Sequence, residues 1–206
     1  MLVKDVMLEI LPSIWPMLVI ILVILVTLRI AYLIKSKKKL VLYQELLMLV
    51  FIIYILCLFH VVTFQDVNYG NNNFIPFKEI FRYNIGTSKF IKNILGNIIM
   101  FVPYGFFASY YLKNRKVSTV IILSLIISFT IEFVQLYIGR VFDIDDVILN
   151  IIGAIIGYII YISLNKISYK LPKFIRSDMF LNVLVILIIV AMIFYGFNIN
   201  IFSWHI

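Results

Sequence analysis

Seven polar side chains stand in apolar surroundings with a spacing that could bind or transform a ligand. They are Asn97, Glu132, Gln135, Arg140, Asp143, Asp146 and Asn150. At 100° per residue, Ser124, Ser128, Glu132 and Gln135 fall within about 80° of one another, a polar stripe down one helix face. Asp146, Asn150, Gly153 and Gly157 fall within about 60° by the same arithmetic. Two polar groups thus precede two glycines that let a second helix approach closely. Between the stripes the chain reads Gly139-Arg140-Val141-Phe142-Asp143-Ile144-Asp145-Asp146, one cation and three carboxylates in what reads as a tight turn. Asn93, Gly96 and Asn97 open a third apolar run, in which Pro103 and Gly105 follow. The proline removes a backbone hydrogen bond and invites a kink.

Three kinds of chemistry suit these groups. Amides, carboxylates and a guanidinium can hydrogen-bond a polar ligand at the face of a helix bundle. Glu132 could act as a general base, and Asp143, Asp145 and Asp146 could hold magnesium, which prefers oxygen ligands. The structural alternative is a network whose members satisfy one another and fix helix packing. Its opening onto one face of the bundle favours a ligand site.

The elements that must position these residues follow from composition. Of 206 residues, 64% are apolar and 14% charged, with a mean hydropathy of +1.09. Soluble domains have about 45–50% apolar and about 25% charged residues. So much apolar surface cannot be hidden at this length, which excludes a soluble, disordered or disulfide-built protein. The net charge of +8 does not indicate nucleic acid, because the basic residues sit in short runs between apolar segments, as in membrane loops. The lone Cys57 lies inside such a segment and can form no internal disulfide.

The expectation is an all-α integral membrane protein, a bundle of six transmembrane helices with a long outer loop between the second and third. A bilayer core of about 30 Å takes about 20 apolar residues per crossing. The runs are Pro12 to Ile34, Leu40 to Thr63, Ile91 to Leu112, Val117 to Ile138, Val147 to Leu164 and Met179 to Phe197. The first has no small-residue cleavage site after it, so it is expected to remain as a span rather than act as a signal peptide. Lys35, Lys37, Lys38 and Lys39, then Lys113, Arg115 and Lys116, then Lys166, Lys170, Lys173 and Arg176 occupy the odd-numbered loops. By the positive-inside rule those loops face the cytoplasm and both termini lie outside a cell membrane. Lys78, Arg82, Lys89 and Lys92 in the second loop, against Asp66 and Glu79, pull the other way. That loop, Phe64 to Phe90, contains a turn-like stretch, Asn68 and Asn71 to Asn73, followed by Phe74, Ile75, Pro76 and Phe77. It is expected to lie along the outer mouth of the bundle.

Polar groups inside a span are costly, about 2.5–3.5 kcal/mol for an unpaired charge. Arg29, Gln44, Glu45, His60 and Asn182 lie near span ends and read as interfacial anchors. Glu132 sits about 8 Å below its helix end at 1.5 Å per residue. It must be paired, hydrated or protonated, with Gln135 or Arg140 as the expected partner.

Three blocks resemble the VanZ-like family of bacterial membrane proteins. They are Asn73-Phe74-Ile75-Pro76-Phe77, then Asn97 through Phe101, Pro103 and Gly105, then Glu132, Gln135, Arg140, Asp143, Asp146, Asn150, Gly153 and Gly157. The resemblance covers about residues 50–165, leaving an added span in 1–49 and another in 166–206. It implies a cell-envelope protein, in a family named for a member associated with teicoplanin resistance. Such a role suits an outward-facing site, since glycopeptides meet their wall precursors there.

Three function classes fit these residues. One is an envelope protein that binds a headgroup, precursor or partner, with no cofactor, no metal and no nucleic acid. A second is a membrane enzyme acting on a lipid-linked phosphate or sugar. Against it, no Gly-x-Ser-x-Gly or His-Glu-x-x-His motif is present, and His60 and His205 lie apart from the cluster. A third is a transporter, for which an internal repeat would be expected and none is evident.

Overall fold

The computed structural model describes residues 2–36, 40–64, 72–84, 86–113 and 116–203. Lys37, Lys38, Lys39, Asp66, Asn68, Asn71, Arg115 and His205 lie outside the described residues. Eight α-helices appear among those described: α1 (Leu2–Ser36), α2 (Leu42–Phe64), α3 (Lys78–Arg82), α4 (Ser88–Phe90), α5 (Gly96–Leu112), α6 (Val117–Tyr137), α7 (Ile144–Lys170) and α8 (Asp178–Ser203). A π turn, Ile91–Leu95, joins α4 to α5. Helix dominates because in hydrocarbon each backbone N–H and C=O must find its partner within the segment. Among the described residues, five stretches are long and apolar enough to cross a membrane: Trp15–Ser36, Leu42–Thr63, Asn93–Leu112, Val117–Tyr137 and Ile144–Lys170. A shorter apolar stretch, Asp178–Val190, opens α8. The protein is an all-α integral membrane protein.

Two compact units divide the chain. One comprises residues 1–52 and 168–206. Within it Arg29 does not snorkel alone, as its position suggested. Its guanidinium grips the Glu45 carboxylate with two bonds, Nε to Oε2 at 2.8 Å and Nη2 to Oε1 at 2.9 Å. The fork geometry matches the planar carboxylate and lets two charges near a span end neutralise each other. Asn182 takes a donor from the first turn of α2, accepting Tyr43 N–H at 3.0 Å. That N–H has no partner in its own helix.

The other unit, residues 53–167, contains the rest of α2, all of α3 to α6, and α7 up to residue 167. Phe101, Tyr104, Val120 and Ala154 form its core, with Tyr54, Ile127 and Tyr158 packed against them. Tyr54 satisfies its hydroxyl by donating to the Met100 carbonyl at 2.8 Å. Pro103 lies inside α5, while the change of helix type falls ahead of it, in the π turn.

Glycines set the separation of α5 and α7. A Cβ on Gly153 would stand 2.1 Å from the Ile98 carbonyl oxygen, and one on Gly157 2.1 Å from that of Val102. From the opposite side, a Cβ on Gly105 would meet the Ala154 carbonyl oxygen at 2.0 Å. These obstacles are backbone atoms, which no side-chain rotation can clear. The two helices therefore touch backbone to backbone, as small residues in membrane helices allow. Gly157→Ala is expected to lower stability by about 1–3 kcal/mol, the usual range for overpacking. Gly96→Ala is the control, because its nearest neighbour is 3.8 Å away. Melting temperatures in detergent should fall for the first variant and hold or rise for the second.

Candidate functional site

α6 ends where Gly139 takes a left-handed backbone, φ 89°. Gly139 N–H then reaches the Leu136 carbonyl at 3.2 Å and Arg140 N–H the Gln135 carbonyl at 2.9 Å. This pair of bonds is the glycine-dependent helix stop that reverses the chain and caps the last carbonyls. It also returns Arg140 to the level of Gln135. α7 begins at Ile144, so Asp145 and Asp146 belong to its first turn rather than to the preceding turn. Carboxylates there meet the positive end of the helix dipole.

The cluster is a chain of specific bonds. Glu132, 1% exposed, accepts the Asp143 N–H on Oε2 at 2.9 Å. With its amide turned as its neighbours require, Gln135 donates to Glu132 Oε1 at 3.2 Å and accepts from Arg140 Nη1 at 2.6 Å. Arg140 also donates to the Val62 carbonyl at 3.3 Å. Among the described residues the direct ion pairs are Arg29–Glu45 and Arg82–Glu79. Glu132 and Arg140 therefore communicate through Gln135, and the direct pair expected as one option does not form. Arg140 Nη1 is instead engaged by two neutral acceptors, the Gln135 amide oxygen and the Val62 carbonyl.

Asn97 and Asn150 have separate partners. Asn97 Nδ2 donates to Asp146 Oδ1, linking α5 to α7. Asn150 Nδ2 donates to Ser128 Oγ at 2.8 Å, linking α7 to α6. All seven residues named from the sequence thus lie in one unit, at the junction of α5, α6 and α7, with Gly153 and Gly157 beneath them on α7.

Two residues that the sequence places outside the cluster contribute to it. Asp145, 1% exposed, uses both oxygens on backbone: Oδ1 accepts Phe77 N–H, and Oδ2 accepts Glu79 N–H at 2.7 Å and Ile80 N–H at 3.2 Å. It is committed to capping the N-terminal turn of α3, whose N-cap is Phe77, which removes it from the group of three acids considered for magnesium. Asn73 is the second. Its backbone pairs with the α6–α7 turn, N–H to Phe142 O at 2.8 Å and O from Ile144 N–H at 3.0 Å. Its Nδ2 donates to Asp143 Oδ1 at 2.8 Å. The signal available was Asn73 itself, whose side chain can cross-link a turn while its backbone bridges; nothing local distinguishes Asp145 from Asp146.

The VanZ/LLP1 family model matches residues 46–165, more than half of the chain. The chain belongs to the VanZ/LLP1 family. No curated protein and no solved structure matches it. The VanZ/LLP1 match includes every residue of the polar cluster and Asn73 of the tethered segment.

Asp143 lies between the spans. Burial pushes its carboxyl above the ordinary range; the Asp145 N–H and the Asn73 amide oppose this, and the charges of Asp145 and Glu79 add to it. The folded protein thus holds this proton more tightly than the unfolded chain, whose aspartates titrate near about 3.9. The stability it contributes is full below that value and is lost as pH rises through the raised one. Asp143→Asn keeps an acceptor for Asn73 and removes the titration. Its melting temperature should decline less with rising pH than that of the unaltered protein, as scanning calorimetry across acidic to neutral pH would record.

Asp145→Ala leaves three N–H groups without their charged acceptor. Bonds to charged groups contribute about 1.5–3 kcal/mol each, so segment 72–84 should detach from the α6–α7 turn. Hydrogen exchange at Phe77, Glu79 and Ile80 should then accelerate by orders of magnitude while α6 and α7 stay protected. Unchanged protection at these three amides would contradict the role given to Asp145.

Proposed function

We propose that this VanZ/LLP1 protein acts in the bacterial cell envelope by binding a lipid headgroup or a lipid-linked wall precursor at its polar cluster. The observation that carries the reading is one atom. Among the described residues the buried side-chain atoms without a hydrogen-bond partner are Thr63 Oγ1 and Asn150 Oδ1. Asn150 is 2% exposed. A network that served only to pack helices would close on itself, because an unmet buried acceptor costs about 1–3 kcal/mol. Asn150 Oδ1 stands one helical turn from Asp146, whose Oδ1 holds Asn97, so a ligand hydroxyl, amide or ammonium donor would meet two acceptors together. Headgroups and precursor sugars carry such donors.

The topology we infer has six spans, with both termini and the α6–α7 turn outside the cell membrane. The lysines and arginines of the odd-numbered loops support that orientation. The cluster would then face the side on which glycopeptides meet their targets. A contribution to teicoplanin resistance is consistent with this and rests on the family resemblance.

The Ser128→Ala, Asn150→Leu double variant tests the reading. It removes both partners of one hydrogen bond, so neither is left unmet and folding stability should change by less than about 1.5 kcal/mol. Replacing Asn97 would instead leave Asp146 without its donor. In the native host, deletion followed by complementation is scored for teicoplanin susceptibility and for envelope lipid composition. The double variant should insert, melt normally and fail to complement. A variant that is folded and fully complements would return the cluster to a packing role.

A further inference from the structure

The segment tied down by Asp145 displays an apolar surface that the polar cluster does not use. Phe74 is 68% exposed, Ile75 62%, Phe77 50% and Phe81 84%. These side chains are not loosely held. Phe74 stacks on Phe142 at 5.2 Å between ring centroids, and Phe142 in turn stacks on Phe129 of α6 at 6.3 Å. Phe77 and Phe81 lie side by side at 6.3 Å. Phe77 has a left-handed backbone, φ 67° and ψ 2°, a conformation unusual for a bulky residue. The Asp145 carboxylate holds its N–H in that conformation. A water-facing turn at this point would suit glycine or asparagine; here the strain serves to fix a phenylalanine in an exposed place.

The neighbourhood identifies what covers this surface. Segment 72–84 is bonded to the α6–α7 turn, at the end of two helices that carry lipid-type surfaces. The last turn of α6 adds Phe133, 64% exposed, and Tyr137, 94% exposed. Charge on the segment is predominantly basic: Lys78 and Arg82 are exposed, as is Lys89 just after it. Glu79 is paired with Arg82 at 3.1 Å. Aromatic side chains next to exposed cations at a span end fit the boundary layer of a bilayer, where rings enter the acyl region and cations meet anionic headgroups.

We propose that Phe74, Ile75, Phe77 and Phe81 form a membrane-interface anchor, immersed in the leaflet at the α6–α7 end. Its occupant is the lipid itself, with a preference for anionic headgroups. This stands independently of any ligand in the polar cluster.

The full-length protein is tested in lipid nanodiscs containing phosphatidylglycerol. Both native tryptophans, Trp15 and Trp204, are changed to Phe, and Phe81→Trp is introduced as the reporter. Phosphatidylcholine brominated near the headgroup end of its acyl chains should quench the reporter several-fold, while aqueous iodide should have little effect. Phe74→Trp, at a second exposed position, should behave alike, so a folding failure of one variant does not decide the matter. Quenching by iodide with none by brominated lipid would overturn the proposal, because the surface would then face water. Protection from both quenchers would overturn it too, since a second copy or another protein would then cover the surface.

Discussion

Asp145 is the hinge on which this site depends. A carboxylate 1% exposed at the start of an apolar helix would be costly by itself. Three backbone N–H groups from another part of the chain compensate it, and those same groups would otherwise have no helical partner. One residue thus solves two desolvation problems. The loop that precedes α3 is converted into an ordered layer over the α6–α7 turn, and Asn73 completes the join by a short bridge.

Beneath that layer, charge is managed by relay rather than by direct pairing. Glu132 accepts from two neutral donors, the Asp143 N–H and the Gln135 amide, and the oxygen of that amide accepts in turn from Arg140. A buried ion pair needs good geometry to repay its desolvation. An amide between the charges relaxes that demand and spreads one cation over several acceptors. The result binds α6 to its own turn and leaves the α7 side, Asp146 and Asn150, with acceptor capacity.

Backbone contact between α5 and α7 supplies the rigidity. Gly105 faces Ala154, while Gly153 and Gly157 face the carbonyls of Ile98 and Val102. At this separation Asn97 reaches Asp146 without a longer side chain. The glycines therefore act on the polar cluster at a distance, by setting the gap across which its hydrogen bonds must form.

Much of this was legible in the residues. Composition and run length decide an all-α membrane protein, because hydrocarbon leaves the backbone little choice but to bond within each helix. The angular spacing of Glu132 and Gln135, and of Asp146, Asn150, Gly153 and Gly157, follows from 3.6 residues per turn and needs no tertiary information. Periodicity states which face a residue occupies; it does not state what that face meets. Whether Arg140 would reach Glu132 directly, which partners Asn97 and Asn150 would find, and which of two adjacent aspartates would hold a segment 65–68 residues away all depended on how the elements pack. The Asp145 bonds to Phe77 and Glu79 join positions far apart in sequence. Local sequence fixes angles along one helix, whereas such contacts arise only when separate helices settle at a common distance, here the distance that three glycines permit.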